Sequence, residues 1–306
     1  MKRIEAFDVA RGFCVAMVVV LHATLLPEAT ARFEQPICRM ALLLLISGAL
    51  ATPVLSREWS YAKRRSLDLL WLYALWTPIV LVALRGPTGF LEIAAELVSP
   101  QTHLWYIAGL ALLIALAWLS RRRPAIPVAV SAAAAVWYAM GGRTGAPGYD
   151  AVAHFAVFFF LGLHGRPVTE AILARCGPRI GLAAAFGTVA LIASPLPHTL
   201  ITLGSAGALL FVAQGLAHTP FAEMLARFGR RTPDVYLAHG PVLIVAGRLL
   251  GEVGWATLPA LVIGTIVACI AIRHVADWMG LGWLYTRPTL GSGSWQWIAT
   301  LRPARS

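Results

Sequence analysis

Residues 11–23 read "RGFCVAMVVVLHA", an apolar stretch with an arginine at one end and a histidine near the other. On an α-helix, eleven steps of about 100° return His22 almost to the azimuth of Arg11, roughly 16 Å further along the axis. That is about half a hydrocarbon core. An ionisable side chain at such depth is costly, so it marks a functional site by default. If Arg11 sits at one membrane surface, His22 sits near the middle, and both point into one interior.

Composition agrees with a membrane reading. The chain has 306 residues, of which 58% are hydrophobic and 13% charged, with a mean hydropathy of +0.72. Soluble domains carry about 25% charged residues. The net charge of +11 does not describe a nucleic-acid surface, because the basic residues fall between apolar runs. They cluster at Lys63-Arg64-Arg65, Arg121-Arg122-Arg123, Arg175 with Arg179, and Arg230-Arg231. Alternate connections are almost bare, which is the positive-inside pattern.

The apolar runs place about ten spans, near residues 12–27, 37–55, 66–84, 103–119, 125–140, 151–165, 180–195, 199–217, 234–250 and 258–276. With the N-terminus inside, every basic cluster and the C-terminal arginines face the cytoplasm, leaving Arg32, Arg85, Arg143 and Arg248 outside. The expected architecture is an all-α, polytopic membrane helix bundle of about ten transmembrane helices with no soluble domain. Residues 1–277 form the transmembrane domain, and 278–306 a tryptophan-rich, basic tail along the cytoplasmic interface. The location expected is the cell membrane, with both termini cytoplasmic.

The first span is not read as a cleaved signal peptide, despite the small-residue site Ala29-Thr30-Ala31. Glu5 and Asp8 spoil the basic n-region, and His22 lies deep in the apolar core. The four cysteines, Cys14, Cys38, Cys176 and Cys269, show no CxxC or Cys/His spacing. They read as small hydrophobes, and no metal site is expected. "FLEIAAELV" in the longest connection suits a short interfacial helix. The tract "SAAAAV" suits close helix packing.

Polar residues on the spans carry any chemistry. Asp8 and Arg11, three apart, can pair and lower the cost of burying the guanidinium. A neutral His22 can accept a proton as a general base; a core histidine bonded to a backbone carbonyl is the ordinary alternative. "CRMALLLLISG" adds Arg39 and Ser47-Gly48, with snorkelling to the interface as the plain role for Arg39. "HLWYI" adds His103, Trp105 and Tyr106, which as interfacial aromatics are common anchors. "AHFAVFFFLGLHGR" spans His154 to His164, and "FGRRTPDVYLAHGPV" carries Tyr236 and His239.

In this order the segments resemble the membrane acyltransferases of family 3, which O-acylate cell-surface glycans and related sugars. "RIEAFDVARGFCVAMVVVLHA" is similar to the family's opening helix, with its basic residue, ten-residue gap and histidine at Arg11 and His22. "CRMALLLLISGAL" is similar to its Arg…Ser-Gly motif, and the three later segments match later landmarks. The resemblance covers approximately residues 3 to 250. "DVARG" is shared with the lysosomal-type transmembrane N-acetyltransferases, so it does not separate the two branches. One departure stands out: where the family often has two arginines three apart after the second span, Arg65 is followed by Asp68.

The resemblance implies a cytoplasmic acyl-CoA donor, with acetyl-CoA the simplest, and a glycan or lipid-linked sugar acceptor on the far side. No permanently bound cofactor and no nucleic acid are implied; membrane lipids are the remaining partners. Arg11 would meet the donor at the basic cytoplasmic mouth, and His22 would take the proton of the acceptor hydroxyl. Arg39, Ser47 or Tyr106 would serve the oxyanion. Asp8, Arg65, His103, Trp105, Tyr106, Tyr236 and His239 complete the expected substrate-binding set. The rival reading is a multispan transporter or exporter of a small anion or sugar. Against it, Asp68 and Asp277 are the membrane-embedded carboxylates, and both lie near the cytoplasmic edge.

Overall fold

The computed structural model describes residues 5–30, 39–192, 198–217 and 219–288. Cys38, Arg32 and the tail beyond residue 288 lie outside the described residues. Among the described residues the chain is helical, with no strand and one β-bridge between Ala29 and Val253.

The helices are α1 (Glu5–Thr24), α2 (Arg39–Ala51), α3 (Pro53–Ser56), α4 (Trp59–Arg85), α5 (Phe90–Val98), α6 (Trp105–Leu119), α7 (Ala125–Ala139), α8 (Pro147–Leu173), α9 (Pro178–Ile192), α10 (His198–Gly215), α11 (Pro220–Arg230), α12 (Thr232–Leu250) and α13 (Leu258–Trp278). Within the described residues the predicted spans fall on helices, that near 37–55 on two of them, α2 and α3. Five segments are long and apolar enough to cross a membrane: α1, α2 with α3, α4, α8 and α13. Four shorter apolar helices accompany them, from α6, α7, α9 and α10.

α1 is the hub. It packs on α2, α10, α11, α12 and α13, and its inward residues, such as Phe7, Cys14, Val18 and Val19, are almost fully buried. Glu5 and Asp8 lie in its first turn, where negative charge complements the helix dipole.

Two crossings are close because glycine removes a Cβ. A Cβ on Gly48 would lie 1.9 Å from the carbonyl oxygen of Phe159, and one on Gly162 would lie 1.8 Å from that of Leu45. α2 and α8 therefore meet backbone to backbone, as small residues allow between membrane helices. Gly12 and Gly229 do the same for α1 and α11, with oxygens of Leu225 and Asp8 at 1.9 and 1.8 Å.

α11 was not among the expected elements. Thr219 caps it, its Oγ1 accepting from the Ala222 N–H at 3.1 Å, and Pro220 opens it. Its buried residues Ala222, Leu225, Ala226 and Gly229 fall on one face, the spacing of an amphipathic helix. In α5, Phe90 and Leu91 are exposed while Glu96 is buried, a face suited to lying along an interface.

Candidate active site

Three histidines, two on helices and one in the turn before α6, converge at one end of α1. His22 closes α1, His103 enters α6 and His239 lies mid-way along α12. Ring centroids are 4.9 Å apart for His22–His239, 4.5 Å for His103–His239 and 5.7 Å for His22–His103.

Their hydrogen bonds fix which nitrogen carries the proton. His239 Nδ1 lies 2.7 Å from the carbonyl oxygen of Tyr236. A carbonyl only accepts, so Nδ1 donates and the neutral ring presents Nε2 as an acceptor. His22 Nδ1 lies 2.9 Å from the Val18 oxygen and 3.3 Å from His239 Nε2. Both are acceptors, so the single proton of a neutral His22 is held on Nδ1 between them. Its Nε2 keeps the lone pair.

The third ring is seated by α12. A Cβ on Gly240 would fall 2.6 Å from His103 Cε1, so the glycine makes the room. Pro241 lacks an N–H and leaves the Leu237 carbonyl, four residues back, outside the helical ladder. His103 lies against the carbonyls of Tyr236 and Leu237, and its buried Nε2 has no hydrogen-bond partner among the described residues. The turn that delivers it is held by buried Glu96, whose Oε1 accepts from the N–H groups of Gln101 and Thr102 at 2.9 and 2.7 Å.

Two tyrosines extend the cluster inward. The Tyr236 hydroxyl donates to the His103 carbonyl, and its ring lies 5.6 Å from His239 and 5.1 Å from Tyr106. The Tyr106 and Ser47 hydroxyls are hydrogen-bonded at 2.7 Å.

This partition of two tyrosines and three histidines has a cavity on each side. One, of ≈ 390 Å³, is lined by His22, Glu28, Gln101, His103 and Arg248. The other, of ≈ 350 Å³, is lined by Arg11, Ser47, Tyr61, Arg65 and Asp68. α4 reaches both, giving Arg65 to the second and Leu84 to the first; that separation is roughly 28 Å of helix. The cavities thus lie toward opposite ends of α4.

A family model described as an acyltransferase domain, that of acyltransferase family 3, matches residues 4–274. The chain belongs to membrane acyltransferase family 3. Comparison with curated proteins and with solved structures returned no match. The match runs from the start of α1 almost to the end of α13, so both cavities and the partition lie within the acyltransferase domain.

Most of the expected site residues of this membrane acyltransferase fall on the two cavities or the partition. Arg11, Ser47 and Arg65 share the arginine-lined cavity. Asp8 lies 4.0 Å from the Arg11 guanidinium, and Arg11 is within electrostatic reach of Tyr106. Arg39, at the start of α2, is within electrostatic reach of His22. Trp105 is set apart: it stacks on Phe155 at 6.3 Å and lines a separate cleft with Tyr73 and Tyr149. Among the described residues, no set of His, Cys, Asp and Glu side chains is arranged to hold a metal ion.

Several residues at the site were not anticipated. Glu28 and Arg248 line the histidine-side cavity, and the bridge joining Ala29 to Val253 ties together the segments beyond them. Gly251, which ends α12 at φ +76°, turns the chain into that bridge. On the other side, Arg287 Nε donates to Asp68 Oδ1 at 2.8 Å. The Gly-Pro pair after His239 was a readable signal for a specialised helix turn; the Arg287 contact had none.

Proposed function

We propose that the protein moves an acetyl group from cytoplasmic acetyl-CoA to a hydroxyl of a cell-surface or lipid-linked glycan, with His22 as general base. The observation that carries this reading is the pair of cavities at different levels along α1 and α4, joined by the tyrosine–histidine cluster that runs from Ser47 on one to His22 and His103 on the other. A transferase whose two substrates arrive from opposite membrane faces needs such an arrangement.

In this reading the donor enters the cavity lined by Arg11 and Arg65. Its pantetheine arm is thin enough to reach Tyr106. The acceptor occupies the opposite cavity, where Glu28, Gln101 and Arg248 offer the mixed acceptors and donors that a sugar ring uses. His22 Nε2 takes the hydroxyl proton as the acceptor oxygen attacks the thioester carbonyl carbon. The new C–O bond forms, the carbonyl oxygen becomes an oxyanion, and collapse breaks the C–S bond. The leaving thiolate recovers the proton from the His22 imidazolium. Arg39, Ser47 and Tyr106 are the candidate donors to the oxyanion.

The same reading takes ten crossings, with both termini cytoplasmic, from the distribution of arginines. A reporter fused after α13 should then signal cytoplasm, and one inserted at Gly145 the outside. Proteoliposomes given radiolabelled acetyl-CoA on the Arg65 side and an oligosaccharide on the other test the reaction itself. Label on the oligosaccharide supports transfer. Counterflow of intact labelled solute without transfer would favour the transporter.

A further inference from the structure

A second cavity system lies away from this site, between α6 and α7. α6 packs on α4 and α8, and α7 packs on α8, but these consecutive helices do not pack closely on each other. The gap between them is a cavity of ≈ 620 Å³, within the range of ligand-binding clefts. The tract "SAAAAV" lies here. Ser131 and Ala134 of α7, with Ala153 and Ala156 of α8, line the slot, so the small side chains leave room rather than drawing α6 against α7. The Ser131 hydroxyl is satisfied within α7, donating to the Val128 carbonyl at 3.0 Å. Leu116, Leu119, Ile126 and Val130 are exposed along the opening.

One end differs. Arg122 and Arg123 line it and are exposed, and neither forms an ion pair among the described residues. Arg121, the third of the run, is already engaged. It lies 3.7 Å over the Trp118 ring and donates to the Trp118 carbonyl at 3.0 Å. From Ala125, at the start of α7, to Ala134 the apolar wall runs roughly 14 Å, close to half a hydrocarbon core and so to the depth of one leaflet.

We propose that this slot is a binding site for one anionic glycerophospholipid, its phosphodiester on Arg122 and Arg123 and an acyl chain between α6 and α7. The chemistry selects the ligand. Two exposed guanidiniums with no ion pair among the described residues, above an apolar slot about one leaflet deep, match a head group with net negative charge and a chain below it. A zwitterionic lipid brings its own cation to the arginines and matches them less well. The lipid braces α7, whose main packing partner among the described residues is α8.

Purified protein, stripped of lipid in detergent, is titrated with phosphatidylglycerol or with phosphatidylcholine of the same chains, and bound lipid is counted by native mass spectrometry. One phosphatidylglycerol per chain should bind in preference. The double variant Arg122→Gln/Arg123→Gln should weaken it by on the order of 30-fold, the scale for two basic residues at a membrane surface, with phosphatidylcholine little changed. Ala134→Phe, which fills the slot, should weaken both lipids, and an unchanged melting temperature of the glutamine variant excludes misfolding. Equal binding of the two lipids by the wild type, or of phosphatidylglycerol by the wild type and the glutamine variant, would overturn the proposal. So would a lipid-free dimer broken by Ala134→Phe, which would assign the slot to a second copy.

Discussion

Arg287 Nε donates to Asp68 Oδ1 across 2.8 Å, linking the segment after α13 to the rim of the arginine-lined cavity. The segment is seated by two further contacts: the indoles of Trp71 and Trp76 donate to the carbonyls of Trp283 and Leu284 at 3.1 and 2.7 Å. At the position where the family often carries a second arginine, this chain carries a carboxylate with a guanidinium brought to it from elsewhere. If that cavity receives the polyanionic donor, Arg287→Ala leaves Asp68 bare and should raise the KM for acyl-CoA. Asp68→Asn, which leaves Arg287 unneutralised, should lower it. Each change should be roughly two- to fivefold, the scale of a half-exposed pair. Steady-state kinetics at two salt concentrations check this, and the effect should shrink in high salt.

Arg11 gives a second test of the same side. Arg11→Ala should weaken acyl-CoA binding, while Arg11→Lys should keep part of it, since the point charge survives and the planar fork does not. Calorimetric titration with a non-hydrolysable acyl-CoA reads the difference. Equal affinity in wild type and Arg11→Ala would reduce Arg11 to a structural partner of Asp8.

The α2–α8 crossing predicts a sharp contrast in stability. Gly48→Ala places a methyl 1.9 Å from the Phe159 carbonyl oxygen, so the helices must separate, at a cost of about 1–3 kcal/mol or more. Gly165→Ala, on the same α8, meets nothing within 4 Å. It should be neutral or stabilising by up to about 1 kcal/mol through helix propensity. Thermal unfolding in detergent should separate the two variants in opposite directions.

Gly240→Ala tests the seating of His103. The added methyl would overlap the imidazole at 2.6 Å from Cε1, and the ring must move. Activity should fall by at least tenfold, the cost of misplacing a group by about an ångström. Binding of acyl-CoA, on the far side of the partition, should persist. Measuring turnover and donor affinity on one preparation distinguishes this from general unfolding.

Much of this arrangement was legible before any coordinates. The Arg11–His22 spacing is a local property of one helix, and arginine clusters alternate with apolar runs because topology is written in loops. Helix α11 was missed for a physical reason. It is short and lies in a basic stretch, so hydropathy alone reads "FGRR" as a turn. The Thr219-Pro220 cap and the apolar spacing at 222, 225, 226 and 229 were nevertheless present. The meeting of His22, His103 and His239 is different in kind. Each sits near an end or bend of a different helix, and only tertiary packing, with Gly240 making room for the His103 ring, determines that they touch. The small residues of α7 suited close packing, and α7 does pack on α8; which neighbour they meet, and that a cavity is left toward α6, is set by the tertiary arrangement.

The most direct test of the central claim is the turnover of His22→Asn, normalised to folded protein. Asparagine keeps a polar side chain beside Val18 and His239 but has no imidazole lone pair to offer the acceptor. As the base, His22 contributes to rate and little to fold. Normalised turnover should then fall by roughly 100-fold or more, with melting temperature and acyl-CoA affinity close to those of the wild type. Normalised turnover within a few-fold of wild type would contradict the assignment and leave His22 a core histidine bonded to the Val18 carbonyl.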